Sequence, residues 1–444
     1  MDRELERATR EELLAVIAQQ GEQIQVLRAR VAELEAKLGG PGSVKRVPEF
    51  IKPRRQKREA SCPRKRRAQA YVRRRETPTR QVEHALDECR GCGCHLEGGS
   101  VKRTRQVIHI PIVPVEVVEH VYLERRCPVC GLRNVPRVDL GGEVVGKNRL
   151  SSSTMALIAS LREVVRLPVE GIRWLLATVH QLRVSKGEII RVLDLVAQRG
   201  RGYLEKLLEE IRASAVVHAD ETGWREDGQN GYLWSFSTPR QHYLAIRQSR
   251  ASEVVREVLG EDFSGVLVSD FYSAYNFLDG PHQRCWVHLL RDIHELEERH
   301  PQDESLAHWA EQVHGLYREA RAWAQSQAQA PKRERMAARQ EFEERILALA
   351  RPYLGGDCPQ RVLCQRIDRF LGELFTFVEL LQVPPDNNAA ERALRPQVLA
   401  RNISGGTRSA KGSRTKAALA SMFSTWQLQG LNPFLQCQIL LNSP

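Results

Sequence analysis

The sequence has no uninterrupted run of about 18 apolar residues, the length a helix needs to cross a bilayer. Its first residues, MDRELERATREELL, lack the apolar core of a secretory signal. These two absences lead us to expect a cytoplasmic chain with no membrane partner. No GxxxxGK[ST] spacing occurs, which excludes a Walker-type phosphate loop. Acidic residues are in deficit: 55 Asp and Glu against 67 Lys and Arg leave a formal net charge of +12. That balance points to a polyanionic partner and says nothing about fold. In a reducing compartment the ten cysteines read as metal ligands or free thiols, not as disulfides.

What is present divides into segments. The length of 444 residues allows two or more domains, and the 42% hydrophobic content supports a buried core. Residues 1–40 carry a heptad pattern, with Ile17, Ile24, Val31 and Leu38 on one series and Leu13, Leu27 and Leu34 on another. β-Branched residues at the first position and leucine at the second favour a parallel two-stranded coiled coil, hence a homodimer or higher oligomer. A lone amphipathic helix is the alternative. Residues 43–80 form a basic tract; from Lys45 to Arg80 there are fifteen Lys and Arg against three Glu, an excess equal to the charge of the whole chain. The tract reads as a disordered linker and also as an arm for DNA phosphates.

Residues 85–140 contain Cys89-x-x-Cys92 and Cys127-x-x-Cys130. Two such pairs predict a structural zinc held by four thiolates. The β-prone runs 107–115 and 117–123 between them predict the hairpins of a zinc ribbon. Cys94 and His95 are spare ligand candidates. Residues 150–205 predict helices, with Ser151–Thr154 offering caps, Pro168 opening a second helix and Ser185-x-x-Glu188 a third. A helix-turn-helix and a plain helical bundle are both open readings.

Residues 211–302 carry strands at 215–219, 231–237 and 242–247, a helix at 251–259 and a strand at 265–269. Three antiparallel strands, a helix and a further strand predict an α/β ribonuclease H-like catalytic domain. Asp220 and Asp270 each follow a β-rich run, AVVHAD and GVLVSD. If the strands are neighbours, the two carboxylates meet at one end of the sheet and can hold a hard divalent cation. Either Asp alone also reads as a strand-end turn residue. Cys285 and His288 read as support for the carboxylates or as a small metal pair. Residues 303–383 predict a helical insertion. Residues 384–444 return to the core: Asn388 and Glu391 fit a helix cap with its capping-box partner, and Glu391 also reads as a third metal carboxylate. Arg392, Arg395 and Arg401, with Arg408, Lys411 and Arg414 in the Gly-rich stretch SGGTRSAKGSRTK, are DNA-binding candidates.

With HADET at 218–222, SDFYSAY at 269–275, QRCWVHLLRD at 283–292, NNAAERALRPQVLARN at 387–402 and GLNPF at 430–434, the chain resembles the bacterial DDE transposases of insertion-sequence family 66. The resemblance runs over nearly the whole length; Phe271 stands where many members have glycine. It implies Asp220, Asp270 and Glu391 as catalytic carboxylates holding two Mg²⁺ (or Mn²⁺) ions, with structural Zn²⁺ at the cysteines. It implies cutting of transposon ends and their joining to target DNA by two-metal-ion phosphoryl transfer. The partners would be double-stranded DNA, a second copy of the chain and accessory proteins of the same element, in the nucleoid of a bacterium. A non-catalytic, dimeric, zinc-containing DNA-binding protein and a ribonuclease H-like nuclease are the competing readings.

Overall fold

The structure is a computed structural model. It describes residues 75–443, except 109, 111–114, 139, 142, 147 and 328, together with Glu22, Gln23, Gln25 and Ala29. Those four residues are helical and exposed. The rest of the heptad segment, and the basic tract before residue 75, lie outside the described residues. The chain divides into two compact units, 1–108 and 109–444.

In the first unit the Cys89 knuckle closes on itself. Gly93 N donates to Cys89 O at 2.8 Å and Cys89 N donates to Cys94 O at 2.8 Å. In the second unit β1 (Arg125–Arg126) and β2 (Arg133–Asn134) form a short antiparallel pair around Cys127 and Cys130. The local backbone pattern is the same: Gly131 N to Cys127 O at 3.0 Å, Cys127 N to Leu132 O at 2.8 Å. Both turns place glycine at positive φ, +75° at Gly93 and +73° at Gly131. The expected ribbon strands are a correction: the described residues of 107–115 and 117–123 form no ladder. Ile108, Ile110, Val117 and Val121 are exposed. Their β-propensity found no pairing partner, and propensity without pairing does not make a strand.

Helices follow: α1 (Ser152–Glu163), α2 (Val169–Val179), α3 (Lys186–Arg199) and α4 (Arg201–Arg212). Ser151 caps α1 by accepting from Thr154 N, and Ser185 caps α3 by accepting from Glu188 N. The apolar faces of α1 to α3 share one core with residues from the chain's end, including Leu419, Phe423, Trp426 and Leu441. This is a bundle closed by the C-terminus.

The sheet comes next: β3 (Val216–Glu226), β4 (Gln229–Ser237), β5 (His242–Arg247), then α5 (Ser252–Leu259), β6 (Val266–Ser269) and β7 (His282–Arg284). The order is β5-β4-β3-β6-β7, with β5, β4 and β3 antiparallel and β3, β6 and β7 parallel. The first strand is longer than its sequence pattern predicts. It runs through Asp220 to Glu226, and Asp227-Gly228, both at positive φ, make the two-residue hairpin turn. Asn230 and Gly231 belong to β4 and not to the turn. α6 (Trp286–Arg299), α7 (Glu304–Ser326), α8 (Lys332–Ala350), α9 (Arg361–Arg369) and α10 (Thr376–Glu379) build a separate core around Trp286, Trp309, Phe342 and Phe375. The last helices are α11 (Asn388–Ser404), α12 (Ala410–Leu428) and α13 (Pro433–Asn442). Helices are in the majority, around one mixed sheet. Among the described residues, no helix is long and apolar enough to cross a membrane.

Candidate active site

The register of β3 on β6 pairs Val216 with Val266, Val217 with Leu267 and His218 with Val268. Continued by two residues, it sets Asp220 opposite Asp270, just past the end of β6. Side chains alternate across a strand. Val217 and Ala219 join the core under α5, so His218 and Asp220 face the other way, with Trp224. Val266 and Val268 share that second face with Val383, and Asp270 follows the same alternation. α11 covers this face: its Leu394 packs with Trp224 and Leu233. Glu391 lies one turn before Leu394 on the same side of the helix. All three acidic residues thus belong to one face of the sheet.

The start of α11 is where the structure departs from the capping box. Asn387, not Asn388, precedes the helix, and its side chain makes no cap bond. It is fully buried; its Nδ2 donates to Ala219 O at 2.7 Å and its Oδ1 lies 3.1 Å from His218 Nδ1. Asp386 Oδ1 accepts from Asn388 N instead, at 3.1 Å. The amide that would have capped the helix is spent docking it onto the strand of Asp220. Glu391 is thereby freed from a capping role: its Oε1 is buried with no hydrogen-bond partner among the described residues, and His288 Nε2 stands 3.9 Å away.

Burial pushes the Asp220 carboxyl up to about 7; the charges of Glu221, Asp270 and Glu391 add to the rise, and the Glu221 N–H opposes it. A buried Asp220 crowded by the charges of Asp270 and Glu391, with one Glu391 oxygen orphaned, forms a donor set whose missing element is positive charge. Among the described residues, no three His, Cys, Asp or Glu side chains stand close enough to ligate one ion as they are. The chemistry of the set nonetheless fits a hard divalent cation, which takes carboxylate oxygens and would relieve that repulsion.

The aspartates are held from behind. Glu221 points to the opposite face of β3 with only 2% of its side chain exposed. Its carboxylate accepts from Tyr275 Oη and from Arg250, whose Nη2 and Nε lie 2.7 and 3.0 Å from Oε1. Burial still holds the Glu221 carboxyl above its ordinary range. Tyr272 N donates to Asp270 Oδ1 at 2.9 Å, and Arg284, fully buried, donates to Asp270 O at 2.8 Å while pairing with Glu373 at 2.5 Å. Cys285 N donates to Ser269 O at 2.8 Å, and its Sγ accepts from Asn387 N at 3.2 Å. Glu221, Arg250, Arg284 and Asn387 escaped sequence reasoning. The signal was their place within the motifs HADET, QRCWVHLLRD and NNAAER; Arg250 carried none.

The basic candidates separate. Arg392, Arg395, Arg408 and Arg414 are exposed. Lys411 pairs with Asp194 at 2.7 Å, and Arg401 reaches Gly223 O and Thr222 Oγ1. The Gly-rich stretch is more structured than its composition predicts. Ser409 caps α12, so the helix begins inside this stretch at Ala410, and Thr407 bridges to Glu226. Gly406 sits so close to Arg225 O that a Cβ there would lie 2.1 Å from it. In the knuckles, the backbone N–H groups of Gly91 and Cys92 hold the Cys89 thiol below its usual range, and those of Cys130 and Val129 do the same for Cys127.

The fold and the acidic face define a mixed α/β protein with acidic residues on one face, near the end of a parallel strand pair. A model of the transposase IS66 family matches residues 147–415, more than half of the chain, and the chain belongs to that family. It is also 32% identical over 168 residues to the uncharacterized protein y4jO of Sinorhizobium fredii, covering 38% of this chain and 49% of that protein. The chain spans about half the length of that curated relative.

Proposed function

We propose that the chain is a ribonuclease H-like DDE transposase that cuts transposon DNA ends and joins them to target DNA, with Asp220, Asp270 and Glu391 as its metal-holding carboxylates. The observation that carries this reading is the freed Glu391: a carboxylate with an unpartnered buried oxygen, on the sheet face of Asp220 and Asp270, whose charge is felt at Asp220. When bound, two divalent cations would activate the attacking oxygen and stabilise the leaving one. The chain's own residues hold the frame. Burial and the neighbouring carboxylates crowd the Asp220 carboxyl with negative charge that a cation would relieve. The Tyr272 amide orients Asp270, and Asn387 fixes the helix of Glu391 against the strand. The exposed Arg392 and Arg395 on the helix of Glu391, and Arg408 and Arg414 towards the far end of β3, would grip DNA phosphates. The sheet order, three antiparallel strands followed by two parallel ones, supports the ribonuclease H-like assignment. Residues 1–40 would pair two copies so that two ends are processed together. The Cys127-x-x-Cys130 knuckle, with its activated thiol, would bind zinc in a structural role. The test is Mg²⁺-dependent cleavage of the element's terminal DNA, compared between the wild-type chain and Asp270→Asn.

A further inference from the structure

β6 ends at Ser269, so on its β6 side the outer half of β3 has no neighbour among the described strands until Thr407 bridges to Glu226. Along this bare edge lies a groove of about 380 Å³, lined by Gly223, Arg225, Asn230, Tyr232, Arg401 and Gly405 among others. It is a built feature. Thr407 N donates to Arg225 O at 2.9 Å, Trp224 Nε1 donates to Thr407 Oγ1 at 3.0 Å, and Gly406 is pressed onto the strand. Arg225 is exposed and has no carboxylate partner among the described residues, whereas Arg401 is anchored on the Gly223 carbonyl. Tyr232 supplies an aromatic wall and Asn230 an exposed amide. Gly223 is three residues along the strand from Asp220, roughly 10 Å at strand rise; like Arg225 and their cross-strand partners Tyr232 and Asn230 it lies on the Glu221 side, so the groove opens behind the acidic face.

Two cations, an aromatic ring and an amide around a slot of this size match the parts of one nucleotide: phosphate, base face and base edge. Resting on the reading of the chain as a DNA-processing enzyme, we propose that the groove binds a single DNA strand that passes from the acidic face round this edge of the sheet. A phosphate would sit between Arg225 and Arg401, and the adjoining base against Tyr232. Gly223 keeps the slot open. A Cβ there would meet only Arg401 Nη1, at 3.6 Å, so a valine fits the strand and fills the groove.

The test uses the full chain in EDTA, so that no cleavage intervenes, with a single-stranded oligodeoxynucleotide carrying 4-thiothymidine. After irradiation, cross-links are expected in the segment 226–240, which carries Tyr232, and are lost in Gly223→Val and in Arg225→Ala. Arg225→Ala also lowers the slope of log affinity against log salt by about one, the signature of one phosphate contact. Cross-links that avoid 226–240, or that persist at wild-type yield in both variants, overturn the groove. A groove that fails while Asp270→Asn still abolishes cleavage leaves the catalytic reading standing. Cross-linking as expected together with full cleavage by Asp270→Asn rejects the catalytic reading alone.

Discussion

Arg250 grips the buried carboxylate of Glu221 with Nη2 2.7 Å from Oε1, and its guanidinium lies 3.9 Å from the ring centroid of Tyr272. The amide of Tyr272 holds Asp270, so the clamp ties the strand of Asp220 to the loop of Asp270 behind the acidic face. Arg250→Ala leaves Glu221 with Tyr275 alone. We expect a loss of about 2 kcal/mol in stability, the scale of truncating one partner of a partly buried charged pair. Urea unfolding measures it; an unchanged midpoint would show that the clamp holds nothing.

The raised Asp220 carboxyl has a consequence for the metal-free chain. Its folded value, about 7, lies above that of an unfolded Asp. Between roughly pH 4 and 7 the folded state therefore binds more protons than the unfolded state, and stability falls as pH rises through that window. Above about 7 both states are ionised and the loss is complete. Thermal melts in EDTA should show wild type gaining on Asp220→Asn as pH drops from the top of that window towards its foot. A constant difference between the two proteins would remove the mutual repulsion from the account.

Adding a cation should reverse that penalty. Mn²⁺ at neutral pH is expected to raise the melting temperature of the wild-type chain, since binding to the folded state alone stabilises it by mass action. Glu391→Gln keeps the shape of the side chain but removes the charge, and should flatten the response. A Glu391→Gln protein that responds to Mn²⁺ as wild type does would exclude Glu391 from the metal site.

For the knuckle of the second unit, the expectation is a lower zinc content in Cys127→Ser, read by elemental analysis of purified protein. Two backbone N–H groups hold the thiol below its usual range, and a serine cannot supply a thiolate. Equal zinc in both proteins, or none in either, would reject zinc at this turn.

Much of the fold was legible because its signals are local. β-Branched runs mark β3 and β6, and serines with the right spacing mark the starts of α1 and α3. The departures all come from tertiary competition. Asp220 looked like a strand end because its apolar run stops there, but pairing with β4 carries the strand six residues further. Asn388 and Glu391 matched a capping box, but Asn387 was drawn to the Ala219 carbonyl and shifted the helix start. The SGGTRSAKGSRTK stretch looked free by composition, but backbone bonds from Thr407 seat it on the hairpin. Glu221 was hidden in plain view beside Asp220, since nothing local tells which face of a strand a charge will take. Arg250 could be found only once Glu221 was seen to need it.

The most direct test of the central claim compares metal-dependent cleavage of the element's terminal DNA by wild-type chain and Asp270→Asn, with DNA binding measured in parallel. The account predicts that the variant binds DNA as wild type does and fails to cleave, a loss of at least about a thousandfold, as expected when a metal-holding carboxylate is neutralised in phosphoryl transfer. Cleavage at the wild-type rate by Asp270→Asn would contradict it.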